Sequence, residues 1–136
     1  MDEVRVLRLL RAIDQDLGAL DAEAAADASR RADSLWLPGV KYLLLSAIEG
    51  CVDVAQHLCA VNGWGPPSDN GDAMTLLGAH GVLDRELSVS MRRAVGFRNV
   101  LVHEYVAVDD DVVRLRVRDH RDLADFVSAV ARLVRS

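Results

Sequence analysis

Between residues 38 and 62 of this 136-residue chain, apolar side chains fill so many three- and four-residue steps that one helix face cannot hold them. Val40, Leu43, Leu44, Ala47, Ile48, Cys51, Val52, Ala55, Leu58 and Cys59 define a helix with a wide apolar surface. Such a helix must be wrapped by several neighbours to keep that surface from water. The rest of the chain supplies narrower stripes of the same period. Val6, Leu9, Leu10, Ile13, Leu17 and Leu20 repeat this way within residues 2–33. Leu87, Met91, Val95, Phe97 and Leu101 do so after Asp84, a residue suited to capping a helix, and Leu123, Phe126, Val127, Val130 and Leu133 within 121–136. A short helix over 72–80 carries Ala73, Leu76 and Leu77 and stops at Gly81. Aromatics make up only 4% of the chain, so Leu, Val and Ala carry the apolar mass, which suits interdigitating helices better than a sheet sandwich. The pattern predicts an all-α fold: an up-and-down bundle of about four to five helices in one domain spanning 1–136.

The punctuation agrees with that division. Pro38 suits the first turn of a helix, where its missing N–H has no intrahelical acceptor. Gly63 suits a left-handed helix stop. Trp64 to Gly71 is the one clear loop, rich in Gly and Pro. Two segments stay open. After Asp21 the Ala-rich run lacks large side chains and reads as exposed helix or a frayed end. Residues 112–118 alternate like a strand with no partner, and read as a short helix or an extended linker.

The N-terminal stretch is charged throughout and carries no apolar core of a secretory signal. No continuous apolar run approaches the roughly 20 residues that span a bilayer. The expectation is a cytoplasmic protein without a membrane contact. Cys51 and Cys59 lack ligand-like spacing and read as reduced, buried thiols. Net charge is −5, unsuited to sequence-blind binding of a polyanion. Residues 1–84 hold 6 basic against 13 acidic side chains, and residues 85–136 hold 10 against 8. A polyanion would therefore approach the C-terminal half.

The informative stretch is FRNVLVHEY, residues 97–105. It sets Arg98, Asn99, His103, Glu104 and Tyr105 around three apolar residues, Val100, Leu101 and Val102, which are expected to be at least partly buried. On a straight helix Asn99 and His103 share a face, while Arg98 and His103 differ by about 140°. These side chains suit phosphodiester cleavage. Histidine moves protons near neutral pH. Arginine grips a phosphate in bidentate fashion and stabilises charge growing on it. Asparagine orients a hydroxyl or an imidazole. No metal-ligand grouping stands beside them, which favours attack by the RNA 2′-hydroxyl without a metal or other cofactor. From residue chemistry alone, a structural Arg–Glu pair with a histidine at a helix C-terminus is the preferred reading.

The stretch resembles the R-x4-H-x-Y signature of HepT-like toxins in the HEPN (higher eukaryotes and prokaryotes nucleotide-binding) superfamily. AIEGCVDVAQHL at 47–58 is similar to that family's central helix, and GVLD at 81–84 with RRAVGFRN at 92–99 to its approach to the motif. The resemblance covers about residues 1–130. It implies a homodimeric helical bundle that cuts RNA without a metal. Arg98 and His103 would be catalytic and Asn99 supporting; Glu104 fits a position that is often acidic. It further implies a partner minimal nucleotidyltransferase, the antitoxin, which adds AMP to Tyr105.

Other polar residues have plainer readings. Glu49, Asp53 and His57 fall on successive turns of the central helix, as a metal stripe or, more simply, a polar contact between helices or protomers. His80 reads as a helix cap, His120 as exposed, and Trp64 as a lid on the core rather than a platform for a base. Two functions survive: a ribonuclease toxin, or a non-catalytic HEPN subunit that binds nucleotide or serves a nucleotidyltransferase complex.

Overall fold

The computed structural model describes residues 1–104 and 107–136. Among the described residues there are seven helices and no strand: α1 (Glu3–Ala24), α2 (Ala28–Ala32), α3 (Trp36–Asn62), α4 (Asn70–Ala79), α5 (Arg85–His103), α6 (Asp110–Arg118) and α7 (Arg121–Arg135). Five of them start under an aspartate whose carboxylate accepts a backbone N–H in the first turn: Asp2, Asp27, Asp69, Asp84 and Asp109. Such a cap satisfies one of the donors that a helix start leaves open. At the other end of α3, Gly63 takes the left-handed conformation (φ 69°), as its position after Asn62 predicts.

The fold is all-α as expected, with two more helices than the apolar stripes define. The stretch after Asp21, left open between exposed helix and a frayed end, breaks after Ala24. Asp27 starts α2 by accepting from the Arg30 N–H (2.8 Å), and α2 buries no residue. Ala24 is the last residue of the Ala-rich run to pack against the core, and beyond it a local cap sets the start of α2. Residues 110–118 form helix α6. Val113 and Val117, one turn apart, are both fully buried, and Asp109 caps the start. The alternation there was one face of a helix. α3 begins at Trp36, with Pro38 inside its first turn.

Helix α3 lies at the centre, in contact with all six other helices. Ala47, Ile48, Cys51, Val54, Ala55 and Leu58 on it are fully inaccessible. By length and hydropathy α3 could span a membrane, but half of its most apolar window is buried against the other helices, as befits the axis of a bundle. Both cysteines are free and buried, and burial pushes both thiols above their ordinary titration range. The α1–α3 seam is tight: a Cβ on Gly50 would stand 2.6 Å from Ile13 Cγ1. Trp64 is half-buried against the core, and its ring stacks on that of His80, the cap of α4, at 4.3 Å.

Two expectations need correction. His120 is buried, not exposed: Nδ1 lies 2.9 Å from the Val117 carbonyl and Nε2 lies 2.6 Å from the Asp21 carboxylate. The ring stitches the α6–α7 corner to α1 across 99 residues of sequence. Of the three apolar residues inside the motif, only Leu101 is buried; Val100 is 37% and Val102 43% exposed. The end of α5 rests on the bundle through one narrow side.

Candidate active site

The last turns of α5 carry the motif because its other side is apolar. Ala94, Val95, Phe97 and Leu101 are buried and hold the helix against α3, α4 and α7. That packing turns Arg98 toward α3. Its Nε donates to Glu49 Oε1, and its Nη1 donates to Asn99 Oδ1 (3.0 Å). The Arg98 side chain is 19% exposed and that of Glu49 39%. A guanidinium has five N–H donors, so these two contacts leave three unused and still partly open to solvent.

His103 is the last residue of α5 and is exposed, as is Asn99 one turn earlier. The two share a face as the spacing predicts. Glu104 caps the helix through its backbone N–H, which donates to the Val100 carbonyl (2.8 Å), and its side chain faces solvent. Tyr105, the expected modification site, lies outside the described residues. Arg98 and His103 therefore sit on one helix end but on different sides of it, one against α3 and the other in open solvent. Neither lines either of two surface concavities. A groove of about 820 Å³ opens between the start of α5, α6 and α7, and one of about 210 Å³ between α1, α3 and α6.

The polar stripe on α3 is an interhelix contact, and it runs from this helix end to the start of α1. Glu49 meets Arg98. Asp53, one turn on, has its carboxyl raised above the usual range by partial burial and by Glu49, against the pull of Arg5. His57 Nε2 accepts from the Asp2 N–H (3.4 Å). No group of three or more potential metal ligands occurs among the described residues. The partnership of Glu49 with Arg98 was not legible in sequence beforehand. The signal for it was a carboxylate on the most apolar helix, where an isolated charge is costly and calls for a cation.

Residues 9–130 match the family described as Ribonuclease HepT-like. An mRNA nuclease HepT of Shewanella oneidensis is 31% identical over 83 residues, which cover 60% of this chain. The match spans 62% of that curated relative's own length, less than two thirds. Among solved structures, a tri-AMPylated Shewanella oneidensis HEPN toxin in complex with an MNT antitoxin superposes with a TM-score of 0.85. Identity there is 23%, with 96% of this chain and 98% of that one covered. The Bacillus subtilis cytosolic protein of unknown function YutE also gives 0.85 at 16% identity, covering 98% and 91%. At those identities the two structures speak to the fold alone.

Proposed function

The chain belongs to the Ribonuclease HepT-like family, and from that premise we propose that it is an endoribonuclease centred on Arg98 and His103. The observation that carries the reading is a half-buried guanidinium with three donors to spare, set five residues before an exposed imidazole on one helix end. In the proposed reaction His103 takes the proton from an RNA 2′-hydroxyl as that oxygen attacks the adjacent phosphorus. The bond to the 5′-oxygen breaks, that oxygen leaves with a proton, and a 2′,3′-cyclic phosphate remains. Arg98 neutralises the charge that grows on the non-bridging oxygens, the role for which a fixed guanidinium is best suited. Glu49, the carboxylate nearest the motif guanidinium, is engaged by it rather than free to ligate a cation, which supports a route without a metal.

The active form is a homodimer. Val89, Gly96, Val100 and His103 fall on one exposed side of α5, within about 60° of each other on an ideal helix. A Cβ on Gly96 would meet nothing within 4 Å, so a neighbouring helix can approach closely there. Arg98 and His103 are about 140° apart on α5, so one chain frames only part of a site, and a two-fold axis could bring Arg98 and His103 from two chains to one cleft.

The protein acts in the cytoplasm as the toxin of a pair. Its antitoxin, a minimal nucleotidyltransferase, transfers AMP from ATP to the Tyr105 oxygen, which loses its proton as pyrophosphate leaves. A phosphodiester two residues beyond His103 would add negative charge next to the motif and so disfavour RNA there. The Arg98–Glu49 pair also favours a second reading, in which Arg98 merely ties α5 to α3 in a non-catalytic subunit. Labelled RNA in EDTA separates the two. The wild type should cut, and Arg98→Ala and His103→Ala should each fall about 10²–10⁴-fold while keeping their helical content. Unchanged cutting by His103→Ala would remove the mechanism, and loss of wild-type activity in EDTA would remove its metal independence.

A further inference from the structure

We infer that Glu49 is the positioning residue for Arg98: it fixes the guanidinium so that its terminal edge, and not its Nε, meets the scissile phosphate. The inference rests on the proposed ribonuclease reading and adds to it a residue from a different helix, 49 positions away.

An arginine at a helix end has four rotatable bonds, and on an open surface it samples many directions. Here two acceptors remove that freedom. Glu49 Oε1 takes the Nε–H from the α3 side, and Asn99 Oδ1 takes one Nη1–H from within α5. Both acceptors lie on elements held by buried residues. Glu49 follows Ile48 and precedes Gly50 and Cys51, of which Ile48 and Cys51 are fully inaccessible and Gly50 is pressed on Ile13. The backbone that carries Glu49 is therefore fixed by the core of α3, and the carboxylate moves only through its own side-chain bonds. The donors left over are one Nη1–H and both on Nη2, and the Nη1–Nη2 edge is one along which a guanidinium binds two oxygens of a phosphate. The carboxylate also keeps the cation from being buried unpaired before RNA arrives.

Asp53 and His57 do not share this role. Asp53 is opposed by Arg5 and His57 meets the Asp2 N–H, so both belong to the α1–α3 seam. Glu49 alone on the stripe reaches the motif.

Misplacing a catalytic group by about 1 Å can cost up to about 100-fold in rate, so the expected loss on releasing Arg98 is about 10–100-fold in kcat with KM changed little. Three substitutions separate geometry from charge. Glu49→Ala removes the acceptor, and Glu49→Asp keeps the charge but falls one methylene short; both should show the loss. Glu49→Gln keeps an oxygen at the same reach without the charge and should restore kcat to within a few-fold of wild type. The side-chain Nε–H resonance of Arg98 gives a readout independent of turnover. It should be distinct and slow to exchange in the wild type and in Glu49→Gln, and averaged with free arginines in Glu49→Ala and Glu49→Asp. Thermal unfolding of each variant controls for the fold. Wild-type kcat in Glu49→Ala, a Gln variant as defective as Ala, or an unaltered Arg98 resonance in Glu49→Ala would each overturn the inference. Should Arg98→Ala itself cut normally, the ribonuclease reading fails instead, and the resonance still reports whether Glu49 holds the guanidinium.

Discussion

Replacing Gly50 with alanine puts a methyl group where α1 and α3 press together. Its Cβ would lie 2.6 Å from Ile13 Cγ1 and 3.2 Å from Cδ1, against the roughly 3.5–4.0 Å at which carbons pack comfortably. Ile13 is 1% exposed and has no solvent to swing into, so one helix must shift. Overpacking of this kind costs about 1–3 kcal/mol. The alanine also recovers helix propensity worth up to about 1 kcal/mol, which would mask part of the loss. Gly18 supplies the control. It too is inside a helix, but a Cβ there meets nothing within 4 Å, so Gly18→Ala should collect the propensity gain unopposed. The propensity contribution cancels between the two variants, leaving about 1–3 kcal/mol, or about 4–12 °C between their unfolding midpoints for a chain of this size. Calorimetry at several protein concentrations would measure both. In combination with Ile13→Ala, which removes both crowding atoms, Gly50→Ala should cost less than it does alone. Glu49 neighbours Gly50, so the same variant should also lower RNA cleavage. Equal midpoints for Gly18→Ala and Gly50→Ala would refute the close approach of α1 to α3.

Three further outcomes follow from the described contacts and the motif. Tyr105→Phe should still cut RNA but resist silencing by the nucleotidyltransferase with ATP, with no AMP mass added; full silencing would place control elsewhere. Light scattering should give about twice the 14.9 kDa chain mass, and Gly96→Arg should reduce it to one chain without lowering helix content, which fails if the arginine variant stays dimeric. Asp53→Asn should raise stability at neutral pH. The folded carboxyl titrates above its ordinary value of 3.8, so ionising it costs stability as pH rises through that interval, and the cost is absent below it. The asparagine advantage should thus shrink to nothing as pH falls below the ordinary carboxylate range; a constant advantage at all pH values would point to packing instead.

What the sequence determined by itself is the part of this protein governed by neighbours within about four positions. Apolar periodicity set the long helices and made 38–62 the central one, because a wide apolar face leaves no other place for it. Gly63 stopped α3 and Asp84 started α5 through bonds to residues three to five positions away. The spacing of Asn99 and His103 along α5 was likewise legible, since a helix fixes which residues share a face. Packing decided the rest. The α1–α2 break and helix α6 depended on what the bundle could bury: nothing beyond Ala24 in the Ala-rich run, but both Val113 and Val117. His120 went inside because Asp21, 99 residues earlier, came to meet it. Arg98 found Glu49 because α5 docks on α3 with its Phe97 and Leu101 side turned into the core, leaving Val100 and Val102 outside. A carboxylate and a guanidinium have no directional preference that reaches across 49 residues of chain, so the core that presses the two helices together chooses the pair.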